Sequence, residues 1–272
     1  MQHKDLEQSL IDEIRKDNER PDNDGHYHPS QVTGCPLQVT LDKMTDNKTI
    51  LNCWLFQGTA VHHWLQQSGV LSRALHEAGY HMIDISYEIR THTKIADGVY
   101  LTGQCDVIAS DGDKRHIFDI KYSSIRPSSG AGRLYKYFSQ ANVYSYMFDA
   151  DEYGLIMINS RSRDLLGVED GKPDIFVLDN NEPDEENWEM VKRKCINIEE
   201  LLTNLGYYDG RRISKEELES YESVDWQPFY DQFHKETMPA YNKECSYCDH
   251  SDYCPVKNGK VSTGLNSFRG GV

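Results

Sequence analysis

Residues 99–122 read VYLTGQCDVIASDGDKRHIFDIKY, and how this stretch folds decides how the rest does. Two runs of alternating apolar and polar residues, 99–110 and 115–122, flank the turn signal Asp111-Gly112-Asp113, the pattern of two strands joined by a tight turn. Side chains alternate along a strand, so Phe118, Ile120 and Tyr122 share one face, and Asp119 and Lys121 the other. An acid and a lysine are thereby held side by side on a rigid element. The first strand carries Asp106, at the end of Gly103-Gln104-Cys105-Asp106. Pairing through the turn sets Asp106 opposite or diagonal to Asp119, within reach of one ion. Two carboxylates that close repel each other, and a hard divalent cation such as Mg²⁺ or Mn²⁺ relieves the repulsion. The neighbouring lysine can then stabilise charge on a phosphate. Asp-x-Lys by itself is a common triplet, equally at home as a surface ion pair.

The flanking segments supply the context. A helix is expected over 52–78, ending at Gly79, and it carries Gly58-Thr-Ala-Val-His62. The glycine permits close approach to another backbone, and His62 offers an imidazole to the same ion, while His63 points elsewhere. A strand over 81–90 contains Glu88. After the hairpin, a helix over 132–149 places Gln140 and Tyr144 four residues apart on one face. Strands over 153–160 and 175–178 follow, then a helix near 185–205. Ahead of all these, 4–17 has Leu6, Leu10, Ile11 and Ile14 at helical spacing, 18–28 reads as a polar loop, and Pro29-Ser30 opens a short helix bearing Cys35. The order α, α, β, β, β, α, β with a helical C-terminal part implies a mixed α/β fold, and 261–272 reads as a loose tail.

The net charge of −15 argues against a nucleic-acid partner until its distribution is considered. Residues 164–200 hold twelve acids against four Lys and Arg, whereas 114–136 hold Lys114, Arg115, Lys121, Arg126, Arg133 and Lys136 against Asp119 alone. Such a strip can contact phosphate in a salt-sensitive way, or be an ordinary solvated face. No run approaches the ~20 apolar residues of a membrane span, and the charged N-terminus has no signal-peptide core, so a cytosolic setting is expected, or host cytoplasm for a viral protein. Seven cysteines without a secretion signal do not suggest a disulfide framework.

Taken in order, G-x-x-x-H, a strand glutamate, G-x-x-D, D-x-K and Q-x-x-x-Y resemble the layout of RecB-like nucleases of the PD-(D/E)XK superfamily, over roughly residues 52–150. The resemblance implies a restriction-endonuclease-like mixed central sheet flanked by helices. It implies His62, Asp106 and Asp119 as ligands of Mg²⁺ or Mn²⁺, with the Ile120 carbonyl as a further ligand, Lys121 as the catalytic lysine, and Glu88 as an additional site residue. Gln140 and Tyr144 match positions that help place the substrate strand; Arg126, Arg133 and Lys136 are expected on phosphate, and Tyr135, Tyr137 and Tyr144 as base-stacking aromatics. The reaction so implied is in-line attack of water on a phosphodiester of single-stranded DNA or DNA ends, as an exonuclease.

Cys35 ahead of the core and C-x2-C-x5-C at Cys245, Cys248 and Cys254 behind it are similar to the iron–sulfur branch of that family, which includes CRISPR-associated RecB-like exonucleases, the AddB nuclease domain and related viral exonucleases. That branch implies a [4Fe–4S] cluster stapling a helical cap, from 29–45 and 184–256, onto a core at 52–180 within a single nuclease domain of residues 1–272. Four thiolates suit tetrahedral Zn²⁺ as well. Cys53, Cys105 and Cys195 are expected to be small buried residues. The partner is DNA, with a homo-oligomer or recombination and adaptation proteins as further company and no membrane. Two rival readings are a non-catalytic DNA-end-binding subunit and a zinc-stapled binding protein.

Overall fold

A computed structural model describes residues 25–44, 53–127, 131–163, 165–166, 174–204, 206 and 254. The helix expected over 4–17, the tail at 261–272, and Cys245 and Cys248 lie outside the described residues. The elements run β1 (His26–Tyr27), α1 (Pro29–Val32), α2 (Pro36–Met44), α3 (Cys53–Gln67), α4 (Val70–Glu77), a 3₁₀ turn (Met82–Asp84), β2 (Ser86–Ala96), β3 (Val99–Ser110), β4 (Arg115–Ser123), α5 (Ala131–Met147), β5 (Glu152–Asn159), β6 (Ile175–Asn181) and α6 (Glu185–Asn204).

The chain divides into two compact units. Among the described residues, the first holds α3, α4, residues 86–91 of β2, 104–110 of β3, and β4 through β6. Strand β3 pairs antiparallel with β4, β4 parallel with β5, and β5 antiparallel with β6, in the order β3-β4-β5-β6, with β2 also beside β3. Helix α5 makes the crossover that two parallel neighbours require. The alternation expected for β4 holds. Phe118 and Ile120 join Val107, Ala109, Ile156 and Ile158 on the sheet and Leu65, Leu71, Leu75 and Tyr80 from α3, α4 and the segment after them in one apolar cluster. Asp119 and Lys121, on the opposite face, meet Gln140 of α5. Layers of helix, sheet and helix are thus set by period-2 patterning on the strand.

The hairpin turn is fixed by Asp111, whose Oδ1 accepts the amides of Asp113 at 3.0 Å and Lys114 at 2.8 Å. Those two amides hold its carboxyl down at about 2. From this turn the ladder runs Ser110↔Arg115 to Val107↔Phe118, and one further step sets Asp106 across from Asp119. There Ile120 N–H donates to Asp106 Oδ2 at 2.7 Å, so a side chain takes over where the main chain would otherwise accept.

Four expectations are corrected. The helix expected over 52–78 is two helices, because Gly69 adopts φ +70 between them, a left-handed conformation that glycine takes without a Cβ clash. The strand expected from 81 begins at Ser86, after a 3₁₀ turn at Met82–Asp84, and continues to Ala96. Cys35 follows the short helix rather than lying within it: α1 ends at Val32, and Cys35 directly precedes Pro36, which opens α2 with the fixed φ suited to a first turn. Strand β1 falls in a segment read as loop, too short at two residues to show any period.

In β5, Gly154 accommodates β6: a Cβ there would lie 2.8 Å from the Leu178 carbonyl and 3.2 Å from Phe118 Cδ1. Gly154→Ala is therefore expected to lower stability by about 1–3 kcal/mol through overpacking, seen as a lower denaturation midpoint with an unchanged m-value.

The second unit contains residues 27–47, 92–103 and 184–272. Here α6 packs on α1 and α2, and the buried ammonium of Lys194 donates to the Val32 carbonyl at 3.4 Å and to that of Gly34 at 3.5 Å. Among the described residues, no helix is long and apolar enough to cross a membrane.

Candidate active site

Four elements of the first unit converge. From α3, His62 Nδ1 lies 3.5 Å from Asp106 Oδ1 on β3. From β2, Glu88 joins them: one ligand atom from each of His62, Glu88 and Asp106 lies within 4.8 Å of the other two. On β4, Lys121 Nζ stands 2.6 Å from Asp119 Oδ2, and that oxygen is otherwise buried without a hydrogen bond. From α5, Gln140 bridges the pair, accepting from Lys121 Nζ at 3.0 Å and reaching Asp119 Oδ1 at 3.5 Å.

Electrostatics follow from burial and neighbours. Burial raises the Asp119 carboxyl to about 6; Lys121 opposes the rise and Asp106 adds to it. Burial alone would depress the Lys121 ammonium, but the carboxylate of Asp119 outweighs it and the net shift is upward. For His62, burial again works downward and is overcome by the hydrogen bond and charge of Asp106, with Asp119 adding, so protonation is favoured. The site therefore gathers three carboxyls, of buried Asp119, partly buried Asp106 and exposed Glu88, around one imidazole and one ammonium. Its donors are carboxylate oxygens and one imidazole, the hard and borderline set that suits Mg²⁺ or Mn²⁺. The residues present fit such an ion.

His62, Asp106, Asp119 and Lys121 are thus brought together, and Glu88, which rested on the resemblance alone, joins the ligand cluster directly. Ile120 contributes its amide to Asp106. His63 is exposed, away from the site. Gly58 does not mark an especially close approach, since a Cβ there would lie 4.0 Å from Tyr122 Cβ.

The expected substrate contacts divide. Tyr144 is only 5% exposed and hydrogen-bonds Gln140, so its ring has no open face for a base, and its influence passes through Gln140. Burial pushes its hydroxyl above the usual range. Tyr137 is engaged as well: its ring lies under Lys121 Nζ, 5.4 Å away, and its hydroxyl meets Ser123 Oγ at 3.1 Å. Tyr135 is half exposed, at 51%. Arg126 is paired with Asp174 at 2.8 Å, and Lys114 with Glu152. Lys136 is half-buried, and the Arg133 side chain lies outside the described residues. The basic strip is not one surface: Arg115 and Lys121 stand six residues apart on β4, roughly 20 Å at a strand's rise.

Cys105 and Cys195 are fully buried, as expected, and burial raises the thiols of both; the Cys53 side chain lies outside the described residues.

Sequence reasoning missed Gln66 and Gln104, which both hydrogen-bond Glu88. The spacing of Gln66, one turn after His62, was the available signal.

The sequence profile of the PD-(D/E)XK nuclease superfamily matches residues 56–255. Among solved structures, that of SSO0001 aligns with a TM-score of 0.56 at 17% identity, over 93% of this chain and 98% of its own. An alkaline exonuclease, LHK-Exo from Laribacter hongkongensis, aligns at 0.46 and 14% identity over 69% of this chain and 92% of its own. Its complex with dAMP aligns at 0.45 and 13%, over 68% and 94%. No curated protein matches the chain. At 17% identity the likeness to SSO0001 speaks to the fold alone. The profile match covers more than half of the sequence and contains the whole cluster of His62, Glu88, Asp106, Asp119 and Lys121: the chain belongs to the PD-(D/E)XK nuclease superfamily.

Proposed function

We propose that this protein is a divalent-metal-dependent deoxyribonuclease acting as an exonuclease on single-stranded DNA or DNA ends. The observation that carries the reading is the apposition of the His62–Glu88–Asp106 cluster to the Asp119–Lys121 pair. His62, Glu88, Asp106 and Asp119, with the Ile120 carbonyl, would hold Mg²⁺ or Mn²⁺. When bound, the ion supplies Lewis acidity that activates water and offsets charge on the scissile phosphate. Lys121, held by Asp119, Gln140 and the Tyr137 ring, keeps its ammonium at a fixed point. From there it stabilises negative charge developing on the phosphoryl oxygens, without reorganisation at the moment of reaction. Tyr135, half exposed on α5, is assigned to stacking against a base. Lys136 and Arg133 are assigned to the backbone.

The same reading includes a structural [4Fe–4S] cluster on Cys35, Cys245, Cys248 and Cys254, closing a cap formed by 29–45 and 184–256. Its support is the cysteine spacing, together with the half-buried state of Cys35 and Cys254 within one compact unit, unlike the sealed Cys105 and Cys195. Metal analysis separates the options: four irons with a visible absorption that bleaches on reduction are expected, and one zinc in a colourless protein would overturn the cluster.

For the nuclease, end-labelled single-stranded and duplex DNA are incubated with purified protein. Shortening from the ends is expected in Mn²⁺ or Mg²⁺, abolished by EDTA and restored by excess metal. Binding of ends without cleavage in either ion would instead identify a non-catalytic end-binding subunit.

A further inference from the structure

Glu88 is held in an unusual way. Its backbone has φ +54 within a strand, in the left-handed region that residues with a Cβ seldom occupy. Such a conformation persists where the surroundings over-determine it. Here two glutamines grip its two carboxylate oxygens. Gln66 Nε2 donates to Oε1 at 2.6 Å and also points at the Asp106 main-chain carbonyl, 3.3 Å away. Gln104 Nε2 donates to Oε2.

The orientation of each amide is dictated by its partners. Gln66 faces a carboxylate and a carbonyl, both acceptors, so its NH₂ must point at them. Gln104 Oε1 accepts Arg90 Nε–H at 2.5 Å, and since guanidinium only donates, the NH₂ of Gln104 is left for Glu88. The chain Arg90, Gln104, Glu88, Gln66 runs without a mismatch from β2 across β3 to α3. Both glutamines are also placed by the elements that place ligands: Gln66 is one helical turn after His62, and Gln104 is two residues before Asp106 on the same strand face. Neutral amides suit this task, because they orient a carboxylate without neutralising the charge that would attract a cation.

We infer that Gln66 and Gln104 are positioning residues that aim Glu88 at the cation held by His62 and Asp106, and that Arg90 sets the direction of the Gln104 amide. This rests on the metal-dependent reading of the site. Outer partners of metal-binding carboxylates typically govern about 10–100-fold of affinity.

The test is Mn²⁺ binding to the full chain without DNA, followed by electron paramagnetic resonance of the free ion, with thermal melting alongside. Gln66→Met, which keeps the length of the side chain, and Gln104→Ala should each weaken Mn²⁺ binding about 10-fold with an unchanged melting temperature. Arg90→Ala should weaken it less. In a Glu88→Gln background, neither glutamine substitution should weaken binding further. Full losses on top of Glu88→Gln would overturn the inference. So would wild-type affinity in Glu88→Gln, while His62→Ala and Asp106→Asn both lose the ion; in that case the metal-dependent reading survives. If the wild-type chain itself binds no Mn²⁺, the reading and the inference fall together.

Discussion

Lys121→Met is expected to reduce DNA cleavage about 10²–10³-fold, the effect of removing one pre-organised donor from a developing oxyanion. Binding of end-labelled DNA should change little. The ammonium is held 2.6 Å from Asp119 Oδ2, 3.0 Å from Gln140 Oε1, and over the Tyr137 ring. Those contacts fix Lys121 without neutralising it, because the upward shift of its ammonium keeps it charged at any working pH. Single-turnover rates at saturating Mn²⁺ are the measurement, since they separate chemistry from ion binding. Equal rates for wild type and Lys121→Met would remove Lys121 from the mechanism.

The same substitution has a second consequence. Asp119 is 2% exposed, and its carboxyl already titrates near 6 despite the lysine. A carboxyl raised above its unfolded value of about 4 costs stability when ionised, and the cost grows as pH rises between the two values. Without Lys121 that window extends upward, so the metal-free variant should melt earlier than wild type at pH 7 and approach it at pH 4. Adding Asp119→Asn should restore most of the stability and none of the cleavage.

The second large effect concerns the face behind the site. Phe118→Ala should lower stability by about 3–5 kcal/mol, a large share of the ~5–15 kcal/mol that typical domains possess. Phe118 is 2% exposed, edge-on to Tyr80 at 5.6 Å and stacked with His116 at 6.4 Å. Its Cδ1 also lies against the backbone of Gly154, where collapse is limited by the sheet itself. Urea unfolding should show the loss, and cleavage should fall only in proportion to the fraction unfolded. A loss below about 1 kcal/mol would mean that the cluster closes over the missing ring more readily than rigid strands allow.

Much of this architecture was legible in the sequence because strand alternation and turn chemistry are local. The hairpin, the division of Phe118 and Ile120 from Asp119 and Lys121, and the histidine on the preceding helix all follow from spacing. What could not be read depends on contacts between distant segments. Gln66 and Glu88 are 22 residues apart, Gln104 and Glu88 are 16, and no period connects them. Burial of Tyr144 was equally out of reach, since a tyrosine on a helix face reads the same whether solvent or a sheet lies opposite. The pairing of Arg126 with Asp174 withdrew a cation that composition had counted as available. The break at Gly69 was visible as a Ser-Gly step, but apolar periodicity continued through it.

The four-residue turn at Asp111 has a reach beyond its size. Its two side-chain hydrogen bonds set the count from which the β3–β4 ladder is measured, and Asp106 and Asp119 lie only one step past the last matched rung, Val107↔Phe118. A slip of one residue would turn Asp119 and Lys121 into the apolar cluster and bring Phe118 and Ile120 to the water. The spacing of the two acids and the lysine is thus metered from the turn at the far end of the ladder, so constraint on this hairpin falls on the length of its turn as much as on the acids and the lysine.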